Sequence, residues 1–275
     1  MKISFFLCMA IFLMFAVSAI LPQNIKIAVS PNNQTPRKTI GIIGGADPAA
    51  SCLLYKKIID CCLSRNDCHH GEDFPEMVII NYPFARLDDL TDAKKNKVQL
   101  DTQLQYCIDK LAQYHVSFFA IACNTLHTFL SGKNLHGTNI VHIAQETLKA
   151  AQLNSSSKLL ILATQTTIKK ELYKQESIEV FAPNEQEQLL VNQIIDKVEQ
   201  NKFLEEDAKN LIALINTIRK RTAIDGIVLG CTELSVLHEA YPQYFTKKNL
   251  ELTVFDTTAI LAQSIVNKAF AFPVS

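Results

Sequence analysis

From residue 39 onward, short and mostly apolar runs alternate with stretches of helical periodicity. Residues 40–43, 77–80, 118–122, 140–143, 159–163, 178–181, 227–229 and 252–255 are too short for helices and read as strands. Between them, residues 48–62, 100–113, 146–151 and 259–270 read as helices, as does 185–219 with a break near Asn201. Leu100, Leu104, Ile108 and Leu111 repeat at the spacing of one helix face. Strands that are apolar throughout, alternating with helices, imply parallel sheets buried on both faces, an α/β fold.

The pattern occurs twice. Phe119-Ala120-Ile121-Ala122-Cys123-Asn124-Thr125 runs from strand to Cys-x-Thr to helix, and Gly226-Ile227-Val228-Leu229-Gly230-Cys231-Thr232 repeats the construction without the intervening residue. The strands at 40–43 and 159–163 each open such a series. An internal duplication into two facing lobes accounts for all four segments. Residues 39–144 plus 257–272 are assigned to the first lobe and 145–256 to the second. Each is expected to be a parallel sheet flanked by helices, with the active site in the cleft between them.

The start of the chain follows another rule. Lys2 precedes an apolar stretch over 3–17, and Val17, Ser18 and Ala19 supply the small residues of a cleavage site. Residues 1–21 therefore read as a secretory signal peptide, with an uncleaved anchor as the alternative, and 22–38 as a polar linker. The expected location is outside the cytoplasm, periplasmic or secreted. Loss of the leader removes Cys8 and leaves seven cysteines, an odd number that keeps at least one thiol free. Lys plus Arg equals Asp plus Glu at 27 each, which leaves no electrostatic footprint for nucleic acid.

The chemistry centres on two of these cysteines. In open parallel sheets the ligand crevice lies beyond the carboxyl ends of the strands, where Cys123 and Cys231 fall. Each directly precedes a helix, whose free N–H groups favour a thiolate. Thr125 and Thr232 add hydroxyls, and Asn124 an amide able to hold a carboxylate. Two sulfurs facing each other from two lobes suit removal of a proton from one face of a carbon and its return to the other.

Ile40-Gly41-Ile42-Ile43-Gly44-Gly45, Cys123-Asn124-Thr125-x-His127 and Gly230-Cys231-Thr232-Glu233-Leu234 together resemble the hallmark motifs of the aspartate/glutamate racemases, in order and spacing, over residues 39–270. The resemblance implies a pyridoxal-independent racemase that needs no cofactor and acts on a small, nominally acidic amino acid. Cys123 and Cys231 would be its acid–base pair. Glu233 and His127 resemble the aspartate-racemase branch. Arg86 falls near that branch's carboxylate-binding arginine, and Lys174, beside Tyr173, near its lysine. The first loop departs from the branch: Asp47, after Gly45 and Ala46, stands where a glycine is usual. A carboxylate there would repel a dicarboxylate substrate and be better tolerated by a neutral or amine-bearing one, unless it only caps the helix starting at Pro48.

Other readings remain open. The same fold carries enzymes resembling maleate isomerases, hydantoin racemases and decarboxylases, and an exported protein could bind a small acid without turning it over. Cys61, Cys62, Cys68, His69 and His70 match no standard metal-ligand spacing and read as a helix end and polar loop, with a disulfide from Cys68 to a neighbour left open. No metal is expected. Asp256 reads as a helix cap and His127 as an orienting group. Homodimerisation is an open alternative, and membrane contact is expected only through an uncleaved leader.

Overall fold

The computed structural model describes residues 37–86 and 93–271, so the expected leader and nearly all of the linker lie outside the described residues. The chain alternates β1 (Ile40–Gly44), α1 (Pro48–Leu63), β2 (Met77–Asn81), α2 (Ala93–Gln113), β3 (Phe118–Ile121), α3 (Asn124–His127), β4 (Asn139–Val141) and α4 (Ile143–Leu153). It continues as β5 (Lys158–Leu162), α5 (Gln165–Lys169), β6 (Glu179–Phe181), α6 (Glu185–Glu199), α7 (Glu205–Arg221), β7 (Gly226–Leu229), α8 (Thr232–Ala240), α9 (Lys247–Leu250), β8 (Thr253–Asp256) and α10 (Thr257–Phe270).

Two four-stranded parallel sheets result, ordered β2-β1-β3-β4 and β6-β5-β7-β8. The orders are equivalent, strand for strand. Every residue of β1, β3 and β7 is buried, as their unbroken apolar sequences require, whereas edge strands β2 and β6 are partly exposed. Helices cover both faces of each sheet. In the first, β1 and β3 pack on one side against α1 and α10 through Leu54, Ile58, Leu261 and Ile265. On the other side they meet α2 through Leu104, Ile108 and Leu111. In the second, α6, α7 and α8 cover one face and α4 the other.

Local chemistry sets the element ends. Asp47 caps α1, accepting from the N–H groups of Ala49 at 2.9 Å and Ala50 at 3.3 Å, with Pro48 in the first turn. Asn184 and Glu187 form a capping box at the start of α6. The strand expected over 140–143 stops at Val141, because His142 caps α4 and Ile143 already belongs to that helix. The break expected near Asn201 spans the turn between α6 and α7, where Asn201 has a φ of 53°. Among the described residues no helix is long and apolar enough to cross a membrane.

Candidate active site

In each sheet the order reverses beside the first-entered strand, and the crevice outside that switch point is where α/β folds bind ligands. β3 and β7 flank the two switch points, and a cysteine stands two residues beyond the end of each. Cys123 is the N-cap of α3 and Cys231 the N-cap of α8. Both side chains reach one cleft of about 300 Å³, lined by Ala46, Arg86, Cys123 and Thr125 from the first lobe and by Thr164, Lys169, Glu199, Cys231 and Glu233 from the second. A volume near 300 Å³ lies at the lower end of small-molecule sites, roughly 300–1,000 Å³.

Cys231 donates its thiol hydrogen to Glu233 Oε2 at 2.7 Å, and Thr232 Oγ1 donates to the same oxygen at 3.3 Å. Burial raises Glu233 above the usual carboxylate range; the Cys231 hydrogen bond pulls back and the Asp47 charge pushes further. Burial, followed by the Glu233 charge, holds the Cys231 thiol well above its ordinary value. Cys123 has no carboxylate so close. Its thiol is pushed up to about 12 by burial and then by Glu233, against the lowering pull of the Leu126 and Thr125 N–H groups.

The helix ends do favour the thiolates, through the lowering pull of the Leu126 and Thr125 N–H groups on Cys123 and of the Glu233 N–H on Cys231, but burial outweighs them. The four-residue α3 offers few aligned dipoles, and the loss of hydration outweighs them. Burial thus favours the thiol form of both cysteines, and the Cys231 thiol hydrogen is directed at Glu233 Oε2.

The residues after Cys123 are held rigidly. Asn124 accepts from the Tyr173 hydroxyl and donates to Thr257 Oγ1 at 3.2 Å, which in turn donates to the Leu229 carbonyl at 2.8 Å. Thr125 Oγ1 shares hydrogen bonds with Thr164 and Thr167, each at 3.0 Å. Both residues thus tie the Cys123 loop to the second lobe. His127 lies beneath. Its Nε2 accepts from the Ile143 N–H at 3.3 Å, so its Nδ1 carries the hydrogen donated to the Cys123 carbonyl at 2.7 Å. Burial lowers His127 to about 3, and the neutral imidazole this network requires is maintained.

Of the residues expected at the site, Cys123, Cys231, Thr125, Glu233 and Arg86 line the cleft. Arg86 is 67% exposed and pairs with Asp196 at 3.6 Å. Asn124 and Thr232 are buried outside the lining, and the hydrogen bonds of Asn124 with Tyr173 and Thr257 hold the loop. Lys174 does not reach the site: it is 72% exposed and pairs with Glu171 at 2.8 Å. Asp47 is buried in its capping role and does not line the cleft, although its neighbour Ala46 does.

Gly45 supports that loop. Its φ is +95°, and a Cβ would stand 2.3 Å from the Tyr82 carbonyl oxygen, so no side chain fits. The seven described cysteines are free thiols; Cys68 donates to the Asp73 carbonyl at 3.4 Å. Asp256 caps α10 through Thr258 and Ala259.

Sequence reading missed Thr164, Lys169, Asp196 and Glu199. The duplication contained the signal for the first two. If β5 is the counterpart of β1, the residues just beyond it face the same crevice as Gly45 and Ala46.

A sequence model described as Asp/Glu/Hydantoin racemase matches residues 43–265. The chain is 26% identical over 244 residues to the broad specificity amino-acid racemase RacX of Bacillus subtilis, covering 85% of this chain and 99% of that one. Its fold is shared with a putative Asp/Glu racemase from Yersinia pestis, at a TM-score of 0.70 and 22% identity over 85% of this chain and 100% of that one. An aspartate racemase homologue from Pyrococcus horikoshii superposes with a TM-score of 0.68 at 24% identity, again over 85% and 100%.

Proposed function

The chain belongs to the Asp/Glu/hydantoin racemase family, and from that premise we propose that it racemises a free amino acid by a two-base mechanism independent of pyridoxal phosphate. The observation that carries this reading is the delivery of Cys123 and Cys231 to one cleft from equivalent strand ends of two repeats. The similarity to a racemase named for broad specificity supports a free amino acid as substrate and leaves its side chain open.

In one direction, Glu233 takes the thiol proton of Cys231 as substrate enters. The Cys231 thiolate removes the α-hydrogen, and the electron pair passes into the substrate carboxylate. Cys123 then gives its own proton to the opposite face, leaving a Cys123 thiolate, a reprotonated Cys231 and a still protonated Glu233, whose proton passes through solvent to Cys123 before another turn in the same direction. The reverse direction starts from that mirrored state. Water-poor surroundings strengthen each of these electrostatic steps, and buried Thr125 and His127 keep Cys123 in place.

The test is NMR in deuterated water with a panel of amino acids under reducing conditions. Wild-type protein should place solvent deuterium on the α-carbon of the inverted product. Cys123→Ser and Cys231→Ser should each abolish racemisation. Folded, reduced protein that exchanges no α-hydrogen in any amino acid ends the proposal.

A further inference from the structure

The charges lining the cleft bear on which side chain the substrate carries. α6 turns one face toward the cleft: Asn192, Ile195, Asp196 and Glu199 all line it, at the spacing of adjacent helical turns. Two of the four are carboxylates. With Glu233, the described residues of the lining include three acidic groups and two basic ones, Arg86 and Lys169. Arg86 already stands 3.6 Å from Asp196. Glu199 lines the same cleft as Cys123, and its charge is a minor influence opposing ionisation of that thiol.

Any free amino acid brings an α-carboxylate and an α-ammonium. Among the described residues, Lys169 and Arg86, the latter paired with Asp196, are cations that line the cleft and can attract the carboxylate. A second carboxylate on the side chain would have to compete for the same two cations while facing Asp196 and Glu199. Asp47, buried behind Ala46, adds a further acidic group whose charge acts on Glu233. A positively charged side chain meets the opposite situation, since it adds to the attraction of every acidic group and needs no cation. In a cleft of low dielectric such differences are large compared with those in water.

We propose that the preferred substrate has a cationic side chain, received by Asp196 and Glu199 on α6, with Lys169 taking the α-carboxylate. This rests on the two-cysteine reading and adds the substrate class to it. The dicarboxylate expected from the family resemblance becomes the disfavoured substrate.

The experiment compares α-deuteration of lysine, ornithine, norleucine, aspartate and glutamate by the full-length folded protein under reducing conditions. Norleucine keeps the four-carbon stem of lysine without the ammonium and matches ornithine in length. Wild type should show kcat/KM for lysine or ornithine at least about tenfold above both norleucine and aspartate, the equivalent of one favourable charge contact. Glu199→Gln and Asp196→Asn should each lower the lysine-to-norleucine ratio by about tenfold. A wild type that exchanges aspartate or glutamate faster than lysine overturns the substrate class and leaves racemisation standing. A lysine-to-norleucine ratio that both variants preserve overturns the role of α6. If neither variant folds, the wild-type ratios alone still decide the substrate class. Absence of exchange with every amino acid removes the racemase reading, and this inference with it.

Discussion

Protonating His127 should loosen the Cys123 loop, and the effect can be sized. In the folded protein this imidazole accepts from Ile143 and donates to the Cys123 carbonyl, so only the neutral ring fits both bonds. Burial, with a smaller contribution from His142, takes it from 6.5 to about 3. Between those values the unfolded chain binds a proton that the folded chain refuses, so stability falls as pH is lowered through the window. At about pH 5 the difference amounts to ~2 kcal/mol, nearly all of it absent at about pH 7. The figure barely changes while the folded value stays below about 4. His127→Gln removes the titration and keeps an acceptor for Ile143. Urea unfolding of both proteins at about pH 7 and about pH 5 isolates this one group from every other carboxylate and histidine. The stability advantage of wild type over the variant should shrink by ~2 kcal/mol on acidification. An advantage that stays constant across the two pH values would refute the assignment of a neutral, buried His127.

Asp47→Ala should cost about 1 kcal/mol in urea unfolding through the lost cap, with no change in the order of preferred substrates. Asp47→Asn should retain most of the cap. Glu233→Gln preserves a hydrogen-bond partner for Cys231 but cannot take its proton, so kcat/KM for racemisation should fall by roughly 10²-fold or more, measured by polarimetry or chiral chromatography. As a test of the expected signal peptide, mass spectrometry of the protein recovered from expressing cells should show loss of residues up to about Ala19. Intact Met1 in a membrane fraction would favour the anchor instead.

How much of this could be read beforehand depended on the length scale of each signal. The unbroken apolar runs at 40–43, 118–122 and 227–229 had room for only one interpretation, and they became the fully buried central strands. Asp47 before Pro48 was legible as a cap for the same reason: the chemistry is contained within three residues. The helices α3 and α5, at four and five residues, are shorter than the window over which periodicity is detectable. The ionisation of the cysteines depends on burial, a tertiary quantity. A helix end visible in sequence favours a thiolate, whereas the enclosing lobes reverse the outcome. Lys174 and Lys169 differ only in which side of a short turn they leave, and adjacency to Tyr173 carried no such information. Asp196 and Glu199 were hidden differently. They sit on the polar stripe of an amphipathic helix, which ordinarily faces water, and here part of that stripe faces the cleft.

The two halves of the site are equivalent in fold but unequal in chemistry. Cys231 has a carboxylate at 2.7 Å, whereas Cys123 accepts from the backbone N–H groups of Leu126 and Thr125. Two enantiomers of a free amino acid have equal free energy, so kcat/KM must be the same in both directions whatever the protein does. The inequality between the cysteines can therefore appear only in how each direction divides between KM and kcat. The same constraint governs the variants: loss of Glu233 must lower kcat/KM equally for both enantiomers even though the carboxylate touches one sulfur. Where the cysteines do become distinguishable is in washing solvent deuterium into substrate that has not inverted. That exchange requires one sulfur to remove a proton and return a deuteron to the same face, and it reports on a single cysteine at a time. In the proposed mechanism the pseudo-symmetry of the lobes supplies the two cysteines as proton donors, and Glu233 gives the second lobe the group that would prepare one of them for proton removal.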